Sequence, residues 1–547
     1  MKRTFLLSAF AAALFVAQAT QAQLKPVVVV SISSASELMD DAKWLSTLTG
    51  GAGDLPLAMV QQQLTAAGVD ATKPAGAVYG LQDGQWQGMG FVPATNLDAL
   101  GALAGGVEDG PDGTKKIGQM FVKLQDGYAF VAPSPDMLAT PVDPVKIVAE
   151  LGKKYDVAAS VNLQAVPELL KTTGLAFAEV AAMGSIEKNE GETDEQFGYR
   201  KALLEENFKL VKQMAVELDT VTIGVSMDRT EKKLLADFSF TARPGSEIAA
   251  QFAMYQNAQT RFGDLVRPDA AISMNSTINI TDQKTIEQSV AQLTAYRKVL
   301  DATIDQSPEV ESDEERAIFK ELVGDLMDVV ESIYQEGRID VAAALLQESG
   351  GPFRLVAGMH VGKAKALETF TKKLLAQLME AEETFPPVKF NADSHKGAAI
   401  HSITLPVQEG EEEQVEKVVG AAPKLYLAFS ADAAWLALGG GDALDALKKV
   451  IDGSDATQTK PVNPSELSVA LRPFIQAGAQ FGQADMVATL LEAAPVGTDR
   501  IRLTGEAVEN GVRYRFQIEE GVLKVLSQAA KLAAEARASE NAVDDGF

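Results

Sequence analysis

Two acidic pairs, Asp194/Glu195 and Asp313/Glu314, are the first residues that invite a chemical reading. Two carboxyls facing each other across a substrate can hydrolyse a glycosidic bond. Each pair, however, lies inside a second pattern, Thr193-x-x-Gln196 or Ser312-x-x-Glu315. That spacing is a capping box: the hydroxyl takes the amide proton of the third helical residue, and that residue's side chain returns to the hydroxyl residue's own amide. Acidic side chains in a first turn also suit the helix dipole. The expected role is therefore to start two helices rather than to cleave a bond.

The chain has three histidines and no cysteine. Thiol nucleophiles, cysteine–zinc sites, iron–sulfur clusters and disulfides are thereby excluded. His360 falls on the side of the alternating segment 353–361 that faces away from Phe353, Leu355, Ala357 and Met359. His395 and His401 would stand about 20 Å apart in a continuous strand, too far to share a metal. Asn391-x-Asp393-x-His395 lacks the glycine and terminal glutamate positions of a calcium loop. Gly439-Gly440-Gly441-Asp442 leads into a helix but lacks the Lys and Ser/Thr of a P-loop, so a turn with Asp442 as N-cap is expected, with anion binding as the alternative. No catalytic residue, metal ligand or cofactor is assigned, and the chain reads more readily as a non-enzyme.

The sharpest binding candidate is Arg500, Arg502, Arg513 and Arg515. With Asn510-Gly511 as a hairpin turn, Glu509 pairs with Val512, and all four arginines share one side. Arg502 then faces Glu519 and Arg515 faces Glu506, which leaves two arginines in surplus. Arginine suits carboxylate or phosphate partners. The competing reading is a solvated ion-pair face.

These residues must be positioned by a repeated unit of strand, helix, helix, hairpin and helix. Copies begin near Val27, Val157, Ala271 and Leu467, with extra strands after the first and third. Glu192 to Gln196 resembles Glu311 to Glu315, each before a long amphipathic helix. The simplest account is a duplication, with a leader over residues 1–22, one half over 23–265 and another over 266–547. Alternating strands joined by Asp83-Gly84, Asp126-Gly127 and Asn510-Gly511 predict antiparallel sheets with one covered side. The fold class expected is α+β, with helices packed on one face. On the last hairpin, Leu503, Ala507, Tyr514, Phe516 and Ile518 should pack under helices and the arginine side should face outward. The stripe Phe319, Leu322, Val323, Leu326, Val330 and Ile333 reads as core rather than as a membrane surface, because the rest of that helix is acidic.

The opening residues supply an address. Lys2 and Arg3 precede an apolar run, Phe5 to Val16, and small residues then flank Ala17-Gln18-Ala19 and Thr20-Gln21-Ala22. This is the layout of a secretory leader, so export to a periplasm or the exterior is expected, with a mature chain from Gln23. No later stretch is long and apolar enough to span a bilayer, so no transmembrane anchor is expected after cleavage. The net charge is −26, which disfavours nucleic-acid partners and anionic lipid surfaces. At 46% hydrophobic residues the chain can bury a large core. Across the mature chain this layout resembles uncharacterised exported proteins of planctomycete-type bacteria, a resemblance that implies no activity and transfers no residue. The expected function is a non-catalytic binding or scaffold protein acting through sheet faces or a cleft, with a protein or apolar ligand as partner. The alternatives are a carrier of a lipid or other apolar ligand, whose lining Trp86, Tyr79 and Leu81 could begin, and a carboxylate-dependent hydrolase.

Overall fold

The alternating segments become strands and the capped stripes become helices in a computed structural model, with fifteen α-helices and twenty-two strands among the described residues. It describes residues 24–48, 54–82, 84–102, 106–139, 141–307, 310, 312–347, 350–382, 384–482 and 484–544. The expected leader and the terminal Phe547 lie outside the described residues. The class is α+β, and the sheets are mainly antiparallel.

The chain opens with β1 (Lys25–Ile32), α1 (Ala35–Leu48), α2 (Asp54–Ala66), the hairpin β2 (Ala75–Gln82) and β3 (Gln85–Pro93), and α3 (Leu97–Ala102). Then come β4 (Glu108–Asp109), β5 (Lys115–Ile117), β6 (Met120–Gln125), β7 (Tyr128–Ala132), α4 (Pro144–Gly152) and β8 (Val157–Asn162). Two long helices, α5 (Glu168–Ser185) and α6 (Asp194–Glu217), precede β9 (Leu218–Asp228), β10 (Lys233–Ala242), α7 (Glu247–Phe252) and the short β11 (Gln259–Thr260). The pattern restarts with β12 (Ile272–Asn279), α8 (Gln283–Gln306), α9 (Asp313–Glu336), β13 (Arg338–Gln347), β14 (Phe353–His360) and α10 (Ala364–Ala381). It continues through β15 (Val388–His395), β16 (Ala398–Thr404), α11 (Glu412–Val419), β17 (Lys424–Phe429), β18 (Ala433–Gly439) and α12 (Ala443–Gly453). The last elements are β19 (Lys460–Pro461), β20 (Ser465–Ala470), α13 (Arg472–Gly478), α14 (Ala484–Ala493), β21 (Arg500–Val508), β22 (Gly511–Glu519) and α15 (Glu520–Asp544).

Two compact units result, Met1–Pro167 with Thr220–Ser226, and Glu168–Asp219 with Met227–Phe547. The sheet of the first runs β4-β5-β6-β7-β3-β2-β1-β8-β9. The sheet of the second runs β15-β16-β17-β18-β14-β13-β12-β20-β21-β22-β10. Its first nine positions repeat the first unit strand for strand. The compact units do not coincide with the halves 23–265 and 266–547. Compactness concerns present contacts, whereas a duplication concerns ancestry.

Local chemistry explains the boundaries. Thr193 and Ser312 each accept the amide proton of the third helical residue at 3.1 Å, and Gln196 and Glu315 close both capping boxes. Asp143 caps α4, with Pro144 at its first position. In the first unit, Val148 of α4 lies in a core with Val78, Met89, Phe91, Phe130 and Leu138. In the second, α12 sets Leu447, Val450 and Ile451 against Val356, Ile400, Ala428 and Trp435.

Asp126 and Gly127 form their expected turn, with φ of 52° and 77°. The last hairpin differs. Val508 faces Gly511, so Glu509 and Asn510 make the turn and every partner moves by two residues from the expected register. Arg502 therefore faces Gln517, and Glu506 faces Arg513. A shift of two keeps each side chain on its expected side, because the pleat repeats every two residues. Asn510 takes the positive φ, 51°. Gly511 is needed for another reason: a Cβ there would lie 2.1 Å from the Phe240 carbonyl oxygen on β10.

Candidate functional site

From β10 to β12, the register of the second unit sorts its side chains by polarity. On one side, the front, Ala236, Phe516, Leu503, Leu467, Met274, Ala343, Ala357, Leu436 and Leu427 face one another across nine strands, from β10 to β17. None of these side chains carries nitrogen or oxygen. On the back, Asp237, Arg515, Thr504, Glu466 and Asn275 cross β10, β22, β21, β20 and β12 in the same manner.

The expected sidedness is reversed here. Met274, Leu467, Leu503 and Phe516 are each at least 40% exposed, whereas Asp237, Thr504 and Asn275 on the back are buried. The reason lies in where the helices anchor. Val329 and Ile333 of α9 and Leu367 of α10 pack with Met359, Leu427 and Phe429, which roofs the front over the β14–β17 end. Phe474 of α13 stacks on Phe353 at the other end of β14, with ring centroids 5.3 Å apart. Neither anchor covers the large front-row side chains from β12 to β22.

The first unit repeats the row. Val122, Val131, Gly90, Ala77, Val30, Ala159 and Ile223 align across β6, β7, β3, β2, β1, β8 and β9. Leu97 and Leu100 of α3 pack beside Val122 and Val131. Val30 and Ile223 stay exposed, as do Tyr79 and Trp86, whose rings stack at 5.3 Å. Leu81 is buried instead. Strand for strand, both rows place two small residues at the same point: Gly90 and Ala77 in one, Ala357 and Ala343 in the other.

The four candidate arginines do share one side, the back. Arg500 is buried and donates to Ser468 Oγ at 2.9 Å and to the Ala270 and Pro268 carbonyls, while Glu519 accepts from its backbone amide at 3.0 Å. Burial, reinforced by neighbouring Arg502, lowers its pKa. Arg515 meets Asp237 through two parallel 2.8 Å bonds, and Arg513 pairs with Glu506. Arg502 makes no ion pair among the described residues, lying between Ser468 and Gln517. Three of the four arginines therefore act as clamps within the sheet and its loops.

The other sequence candidates disperse. Asp194 pairs with Lys188 at 2.7 Å and Asp313 with Arg316 at 3.1 Å, both at helix starts. Asp442 sits at the expected N-cap of α12 but caps no amide, because it accepts from Arg354 at 2.5 Å. His360 meets Glu336 at 2.9 Å and His395 meets Asp452 at 2.8 Å. Among the described residues, no group of three or more His, Asp or Glu is placed to hold a metal ion.

Sequence reasoning missed one buried pair. His401 is fully buried, its Nδ1 accepts from the Asn391 amide at 2.9 Å, and its Nε2 lies 3.2 Å from Glu368 Oε1. The amide bond fixes the tautomer: Nδ1 is the acceptor, so Nε2 donates. Burial raises the Glu368 carboxyl, but hydrogen bonds from Lys365 and Lys372 outweigh it and hold the pKa down to about 2. The only prior signal was that His401 alternates with apolar residues in β16. Comparison with protein-family models, with curated proteins and with solved structures finds no match for the chain.

Proposed function

We propose that this is an exported, non-catalytic binding protein whose working surface is the open apolar front of its sheet. One observation carries the reading: Met274, Leu467, Leu503 and Phe516 stand side by side on four adjacent strands and remain exposed. Single exposed apolar residues are ordinary, but a contiguous group is the mark of a binding surface. Burying a fully exposed side chain of this kind is worth about 1.5–3 kcal/mol, so covering the remaining two fifths of all four offers an apolar partner about 2.5–5 kcal/mol. A hydrophilic scaffold surface has less support, because the front row lacks polar side chains. Support for export is the leader pattern over residues 2–22.

The test is binding of N-phenyl-1-naphthylamine, an uncharged fluorophore, to the full chain. Ile223, Leu467 and Leu503 are exposed, so changing all three to Asn should leave the fold intact. The triple variant is expected to lose at least about tenfold in affinity, with its circular dichroism melt little changed. Undiminished binding by the folded variant would overturn the reading.

A further inference from the structure

We infer that the occupant of the front row in the second unit is a long alkyl chain borne by a head group that is not anionic, taken up as a single molecule rather than as a membrane surface. The inference rests on the function proposed above and specifies its ligand.

The floor is chemically suited to a methylene chain. The open part of the row, from β10 to β13, has six in-register positions that span roughly 24 Å at the usual strand spacing, and no side chain along them offers a hydrogen bond. A ligand segment with amides or hydroxyls laid along this floor would leave them unpaired, a cost that a methylene chain avoids. The next front row, Leu234, Ile518, Ile501, Val469 and Ile272, is also apolar. On the other flank stand Ser276, Ser465 and Tyr514, where a polar head group would find partners.

Its shape favours the same occupant. Large side chains line the open part, then Ala343 and Ala357 lower the floor where the row passes toward the roof made by α9 and α10. An open stretch that ends in a low waist against a packed roof suits an extended chain better than a compact body. The same waist recurs in the first unit at Ala77 and Gly90, although only one of the seven paired positions, Ala77 with Ala343, carries the same residue. Every other paired position has changed identity while staying apolar.

Charge disfavours an anionic head group. The chain carries −26, and the roofing helix α9 holds eight acidic residues against its own Arg316 and Lys320 and against Arg297 and Lys373, which pair with Asp328, Glu321 and Asp325 from neighbouring helices, so the region stays net negative. A carboxylate or phosphate head group would be repelled, as would an anionic bilayer.

The test uses the full chain and displacement of N-phenyl-1-naphthylamine by monomeric amphiphiles below their aggregation threshold. Across octyl, decyl, dodecyl and tetradecyl maltoside, affinity should rise at least about threefold per step of two methylenes. At constant dodecyl chain, trimethylammonium and maltoside head groups should bind at least about tenfold more tightly than dodecanoate at low salt. The Leu467→Asn, Leu503→Asn variant should flatten the chain-length series. If the fluorophore binds and the triple variant loses it, but affinity ignores chain length or dodecanoate binds best, the surface is functional and this ligand assignment is wrong. Binding to phosphatidylcholine vesicles without binding of monomers would also overturn it.

Discussion

At the residue scale, the polar groups of this protein mostly hold structure. Arg515 and Asp237 form a two-bond fork on the back of the sheet, and Arg500 ties the 268–270 segment to β20 and β21. Their types suggested anion binding, and their spacing placed them on one side. What the sequence did not display was how many acceptors the fold would bring to each. His401 offers the clearest titration. Burial, then Lys372, pull its pKa below the ordinary 6.5, against the pull of Glu368. The unfolded chain therefore takes up this proton first, and stability falls as pH drops through 6.5 toward the folded value. Glu368 acts at lower pH: its contribution is full above the unfolded value of 4.5 and is lost toward about 2. Urea midpoints measured from pH 7.5 to 5.5 should fall more steeply for the native chain than for His401→Asn. Both proteins keep His360 and His395, so the difference between the curves isolates His401. Parallel curves would show that its burial is not felt in stability.

At the scale of elements, the order of strands and helices was readable because turn chemistry and alternation are local. Three elements escaped or shifted for physical reasons. β15 carries Lys389, Phe390, Asn391 and Ala392 with an irregular register, and its pairing with β16 depends on a bulge whose Asn391 amide is held by His401. The helix α11 lies in a run of glutamates that reads simply as solvated surface. The last hairpin slipped by two residues because Asn-Gly pairs favour positive φ at both positions, whereas Gly511 here serves close approach to β10. Gly511→Ala should destabilise by about 1–3 kcal/mol through a backbone clash that no side-chain rotation relieves. Asn510→Gly should change stability by a few tenths of a kcal/mol. Urea unfolding of the two variants decides between them, and equal effects would restore the turn as the reason for Gly511.

At the scale of the whole molecule, alternation revealed two sides of each strand but not which side the helices would choose. Leu503 and Phe516 were grouped correctly with each other and assigned to the wrong environment. Their exposure follows from where Val329, Ile333, Leu367 and Phe474 anchor, contacts between residues far apart in sequence that no local pattern encodes. The same apolar row recurs in both units on the same order of strands. A rival apolar surface exists on α5, where Leu169, Phe177 and Val180 are more than 70% exposed. Photolabelling with an alkyl chain that carries a diazirine separates the two directly. Carbene adducts are expected on peptides from β12, β20, β21 and β22, centred on Met274, Leu467, Leu503 and Phe516, and suppressed by excess dodecyl maltoside. Adducts confined to 168–185, with none on those four strands, would show that the front row is not the binding surface.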